Sequence, residues 1–139
     1  MTDQNIIQIE TIILAPVEVA WHYFNDPEHI VHWNNASPDW HTPHAENNLQ
    51  VGGNFSYTMA AKDGSFSFDF WGTYDVIEEN KLIKYTLGDS RKVTVEFVSV
   101  EDDSKIIETF ESEKENSIEL QKNGWQAILN NFKKYVEEN

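Results

Sequence analysis

The chain has 139 residues, the size of one domain with a single hydrophobic core, and it is read as one unit over residues 1–139. Ten basic against 24 acidic residues leave a formal charge of −14, which repels phosphate backbones and anionic lipid headgroups. Neither nucleic-acid binding nor stable membrane association is therefore expected, and the same charge opposes self-association, so a monomer is expected. The absence of cysteine excludes disulfides, thiolate nucleophiles and thiolate metal sites, and the cytoplasm is the compartment that fits.

The N-terminal MTDQNIIQIE has no positively charged start and no long apolar run, so no signal peptide is expected there. Residues 4–14 are rich in β-branched side chains and predict a first strand, ending at Ala15-Pro16. Pro16 suits the first position of a helix, and VEVAWHYFN continues it with Val19 and Tyr23 on one face. Asp26-Pro27 breaks that helix, and PEHIVHW starts a second, with Ile30 and Trp33 three apart. Residues 34–50 are polar, with two prolines and two histidines, and read as a long loop. Trp33 and Trp40 bracket it, where a lid would lie.

From Gly52 the period changes to two. NFSYTMA places Phe55, Tyr57 and Met59 on one face, and Asp63-Gly64 supplies a hairpin turn. SFSFDFWGTYDVI then puts Phe66, Phe68, Phe70, Gly72, Tyr74 and Val76 on the core side, and Asp69 and Trp71 on the other. KLIKYTL, VTVEFVSV and KIIETFE are further strands, joined by turns at Glu78-Glu79-Asn80, Gly88-Asp89 and 101–104. The final segment from Asn116 is the longest helix, capped by Asn116 or Ser117. Its apolar face runs Ile118, Trp125, Ile128, Leu129, Phe132 and Val136. Gly124 in its middle suggests a close approach by another element.

Aromatic strand faces opposed to a long amphipathic helix form either a solid core or the walls of an apolar pocket. His41, His44 and Glu46, or His29 and His32, have the spacing of metal half-sites, but no third-ligand pattern completes either pair, so no metal is expected. For acid–base chemistry the candidates are Asp69, which shares a face with Ser67 and Thr73, and Glu108, whose facing is left open by Ile106-Ile107. No triad order, phosphate loop or nucleotide fingerprint is present. Gly52-Gly53 reads as a bulge or bend.

The ordered set Ala15-Pro16, Val19, Trp21, Asp26-Pro27-Glu28 and Trp33 resembles the opening of the SRPBCC, or START-like, helix-grip domains. Within them it is similar to the C-terminal domain of the heat-shock-protein ATPase activator. Val51-Gly52-Gly53, Phe55, Asp63-Gly64, Gly72, Tyr74, Leu82, Tyr85-Thr86, Gly124-Trp125, Leu129 and Phe132 continue the likeness over the whole chain. The resemblance implies an α+β fold, β-α-α-β(6)-α, with a curved antiparallel sheet around the C-terminal helix and an apolar cavity between them. By position, it implies cavity-facing Trp33, Phe55, Tyr57, Met59, Phe68, Phe70, Tyr85, Phe97, Trp125 and Leu129. It carries over no catalytic residue and no cofactor, and its relatives bind lipids, sterols, polyketides or flavonoid-like molecules. The segment Trp40-His41-Thr42-Pro43-His44 is longer and more polar than the family's usual passage.

Three functions follow as expectations. The first is binding of a small hydrophobic molecule, aromatic or lipid-like, without chemistry. The second is a chaperone-cofactor-like protein interaction, and the third a cyclase or aromatase-type enzyme using Asp69, Glu108 or Tyr57. Trp125, if it seals helix to sheet, should cost about 3–5 kcal/mol on truncation to alanine.

Overall fold

A computed structural model describes residues 6–139; Gln4 and Asn5 of the predicted first strand lie outside the described residues. The elements are β1 (Ile6–Ile13), α1 (Val17–Asn25), α2 (Pro27–Trp33), β2 (Trp40–Asn47), β3 (Asn54–Ala61), β4 (Ser67–Glu78), β5 (Leu82–Leu87), β6 (Lys92–Val100), β7 (Asp103–Glu111) and α3 (Ile118–Glu138). All seven strands form one antiparallel sheet in the order β1-β7-β6-β5-β4-β3-β2. Strands β2 to β7 are a simple meander. β1 joins the last of them, and α1 and α2 carry the chain from one sheet edge to the other. The α+β helix-grip architecture implied by the sequence is therefore the one observed. No helix among the described residues is long and apolar enough to cross a membrane.

The helices start where the chain chemistry directs. Pro16 occupies the cap of α1, one residue before the predicted position, and Asp26 caps α2 by accepting from the Glu28 amide at 2.9 Å. Ser117 caps α3 through the Leu120 amide at 3.0 Å. At 21 residues α3 is about 32 Å long and lies along β1, touching α1 and α2 as well. Its buried face is Gln121, Leu129, Phe132 and Val136. Ile118, expected on that face, is exposed in the first turn.

The predicted loop 34–50 contains strand β2, the main correction to the sequence reading. Its pattern is polar because it is an edge strand with only Thr42 buried. Pro43 is tolerated there because the register shifts between His41 and His44. The Thr42 hydroxyl donates to the Asn34 carbonyl at 2.6 Å, anchoring the strand to the end of α2. A second irregularity, between Tyr74 and Val76, reverses the facing of β4, so Ile77 rather than Val76 packs on the core. Phe66 is also displaced from its predicted place, lying exposed before β4 begins. The bend at Gly52-Gly53 and the turn at Gly64 are as read, with positive φ at Gly52 (83°) and Gly64 (78°).

Gly72 on β4 is crowded by both neighbouring strands, β5 and β3. A Cβ there would stand 2.8 Å from the Thr86 carbonyl oxygen and 2.9 Å from the Phe55 ring. Gly72→Ala should therefore destabilise the protein by about 1–3 kcal/mol in urea unfolding. An unchanged midpoint would show that β4 and Phe55 move apart freely.

Candidate functional site: an apolar cavity under the long helix

Leu129, Phe132 and Val136 fill the space between sheet and helix at one end of α3. Toward the other end the packing opens into a cavity of about 330 Å³, within the range of small-molecule sites. Gly124 sits on its roof, and a Cβ built there meets nothing within 4 Å. The glycine thus leaves space; it does not admit a neighbouring backbone, as the sequence had suggested. Trp125 is half-buried, lines the cavity and stacks on Phe110, with ring centroids 3.8 Å apart and planes 12° from parallel.

Of the ten residues expected to face a cavity, eight are on its wall. Phe55, Tyr57, Met59, Phe68, Phe70 and Tyr85 come from β3, β4 and β5, Trp33 from α2 and Trp125 from α3. Phe97 and Leu129 are not among the lining residues. Phe97 packs edge-on against Trp21 (4.9 Å) and Phe24 (5.4 Å), and Leu129 is sealed in the core. The resemblance places both on the inner face by position, which cannot say where that face is filled. The wall reaches solvent at Ala36, Phe68 and Asn116, all exposed.

The polar groups of the wall are ordered by sheet and helix ends. Tyr74 donates to Asn47 Oδ1 at 2.5 Å, Asn47 Nδ2 donates to the Asn25 carbonyl at 2.8 Å, and Asn25 Nδ2 donates to the Trp21 carbonyl at 2.8 Å. This chain ties the end of α1 to β2 and β4. Trp33 Nε1 donates to the Tyr23 carbonyl at 3.0 Å, and Asn131 Nδ2 donates to the Trp33 carbonyl at 2.8 Å, which holds α2 against α3. Elsewhere on the wall Arg91 Nε donates to Asp89 Oδ2 at 2.7 Å, and the buried Gln121 accepts from the Glu113 amide at 2.7 Å. Burial raises the hydroxyls of Tyr57, Tyr74 and Tyr85 well above their ordinary range, so all three are neutral hydrogen-bonding groups.

Glu108 resolves the facing left open by Ile106-Ile107. It points inward with Ile106 and Phe110, is 8 % exposed and lines the cavity, and desolvation pushes its carboxyl up to about 8. Asp69 is exposed on the outer face and accepts from the Thr58 hydroxyl at 2.8 Å. The sequence missed the inward Asn25, Asn34, Arg91 and Gln121; only the caps and turns they adjoin were visible.

His41 and His44 lie on edge strand β2, where His44 Nε2 is 3.3 Å from Glu46 Oε1 in solvent. His29 and His32 both pack near Tyr135. Among the described residues the trio whose ligand atoms come within 4.8 Å of one another is His22, Asp26 and His29, away from the cavity. All three are already engaged, His22 Nε2 lying 3.5 Å from Asp26 Oδ2. Asp26 caps α2, and His29 Nδ1 lies 2.8 Å from the Tyr135 hydroxyl while its ring stacks on Tyr23.

A curled antiparallel sheet gripping a C-terminal helix over an apolar cavity defines the helix-grip class. Residues 14–137 match the family described as activator of Hsp90 ATPase homolog 1-like protein, and the chain belongs to that family. An AHSA1-like protein from Aeromonas hydrophila, solved in solution, is similar at 43 % identity and a TM-score of 0.91, over 96 % of this chain and 93 % of that one. A protein from Cytophaga hutchinsonii, also solved in solution, shares 53 % identity with a TM-score of 0.83, over 96 % and 92 %. A Chromobacterium violaceum protein at 21 % identity shares the fold, with a TM-score of 0.86 over 97 % and 99 %. Among curated proteins none matches the chain.

The Glu108 carboxyl sets a pH dependence of stability. Its folded value lies above the unfolded one, so the folded state holds the extra proton between about pH 4.5 and 8, and stability falls as pH rises through that window. The loss is on the order of 4 kcal/mol. Urea unfolding at pH 5 and pH 8 should show it in the parent and not in Glu108→Gln; equal slopes in both would contradict the burial argument.

Proposed function

We propose that the protein binds one small, mostly apolar molecule, aromatic or lipid-like, in the cavity beneath α3, acting as a monomer in the cytoplasm. The observation that carries the reading is a ligand-sized, aromatic-walled space kept open by a glycine in the middle of a helix. Glycine there costs about 1 kcal/mol of helix stability relative to alanine. A core under selection for packing alone would place a larger residue at 124, since the added atoms meet nothing. The contacts would come from Trp33, Phe55, Tyr57, Met59, Phe68, Phe70, Tyr85 and Trp125.

Gly124→Leu tests this reading. It should raise or preserve thermal stability while filling the roof of the cavity, and it should abolish saturable binding of neutral two-ring and lipid probes followed by tryptophan fluorescence. Parent-like binding by a folded Gly124→Leu protein would move the ligand elsewhere. The family's description supports a second reading, a chaperone-cofactor-like interaction. A co-precipitation that recovers no heat-shock-protein ATPase, with no stimulation of its turnover, would remove it.

A further inference from the structure

β7 turns Ile106, Glu108 and Phe110 toward the helix, so a carboxyl stands between an isoleucine and a phenylalanine. Its sheet neighbours are Val95 on β6 and Ile9 on β1, both buried and apolar. None of the hydrogen bonds and ion pairs among the described residues involves this carboxyl, although the residue is more than nine-tenths buried and lines the cavity. Among the described residues no fully buried side-chain oxygen or nitrogen lacks a partner, so the carboxyl oxygens open onto the cavity, where a leucine of similar reach would present only apolar surface. A group of this kind inside a ligand-sized apolar space is a point of recognition.

We propose, resting on the cavity-binding reading above, that Glu108 selects the ligand. The cavity takes a neutral, ring-containing molecule whose carbonyl-type oxygen accepts a hydrogen bond from the Glu108 carboxyl. Three ligand charges can be weighed against this site. An anion meets a protein of charge −14 and a wall carrying a carboxyl. A cation would form a buried ion pair in which nothing on the protein supports the carboxylate, the arrangement in which desolvation outweighs attraction. A neutral acceptor needs one O–H donor, which the acid form supplies. Burial pushes Glu108 up to about 8, so the acid form prevails at neutral pH.

The other groups facing the cavity fit the same chemistry. Tyr57 on β3, Tyr74 on β4 and Tyr85 on β5 are uncharged and offer further hydroxyls. Arg91, ahead of β6, is already held by Asp89. Glu113, following β7, accepts from the Asn116 amide at 2.6 Å. α3 contributes the Gln121 amide, whose hydrogen bonds run to the segment between β7 and α3. β1 and β6 present apolar side chains beside Glu108.

The test uses the full chain and three matched probes, 2-acetylnaphthalene, 2-ethylnaphthalene and 2-(aminomethyl)naphthalene, titrated by calorimetry at pH 7 and pH 9. The ketone should bind about five- to tenfold tighter than the hydrocarbon at pH 7. Its affinity should fall about tenfold by pH 9 as Glu108 ionises. Glu108→Gln, which keeps an N–H donor, should retain the ketone preference at both pH values, and Glu108→Leu should bind ketone and hydrocarbon alike. A ketone that binds no better than the hydrocarbon, with Glu108→Leu unchanged from the parent, would overturn the role of Glu108 and leave the apolar cavity standing. An amine that binds tightest, and tighter still at pH 9, would overturn it in favour of a cationic ligand. Binding of none of the three would overturn this assignment and the cavity-binding reading together.

Discussion

Trp125 lies flat on Phe110, a stack that joins α3 to β7 at the border between filled core and cavity. On the C-terminal side of the contact, Leu129, Phe132 and Val136 close the gap completely. On the N-terminal side the next residue along the chain is Gly124, whose missing side chain leaves the space beneath it unfilled. One helix is therefore solid core at one end and a roof at the other. The transition between the two happens within two turns.

The sheet makes the same division. Phe97 meets Trp21 and Phe24 edge to face, and Phe132 meets Phe24 and Trp33 in the same way, with Phe24 and Trp33 also bordering the cavity. Around Phe55 the rings of Tyr57, Phe70, Tyr74 and Tyr85 also touch one another. There, however, three of the five bear hydroxyls, and the helix reaches them through Trp125, which meets Phe70 edge-on at 6.0 Å beside the open space. The Tyr74 hydroxyl donates to Asn47, and all three tyrosines line the cavity, where hydroxyls suit a partly polar ligand. Glu108, standing among apolar neighbours, extends the same logic to its limit.

Much of the architecture was readable because it rests on periodicity. The alternation of Phe55, Tyr57 and Met59, and the three-and-four spacing of Trp125, Ile128, Leu129 and Phe132, are direct imprints of strand and helix geometry. β2 escaped because an edge strand need bury little, and its Pro43 sits at a break in register that sequence cannot display. Val76 was misassigned because one bulge inverts every facing beyond it. Phe97 and Leu129 share the phase of the cavity residues, and only three-dimensional packing separates a filled stretch of that face from an open one. Gly124 carried the signal of the site and was read with the wrong sign, since a helical glycine serves equally to admit a neighbour or to leave room.

The central claim is that the space beneath Gly124 and Trp125 accepts a small apolar molecule. The most direct measurement is a methyl-detected NMR titration of labelled protein with 2-ethylnaphthalene. The account predicts saturable shifts, with probe-to-protein nuclear Overhauser contacts, at Met59, Ile83 and Ile128 on the cavity wall, while the exposed Ile12 and Val98 stay unmoved. Contacts confined to Ile12 and Val98, or no saturable shift at any methyl, would contradict it and return these aromatics to the role of core.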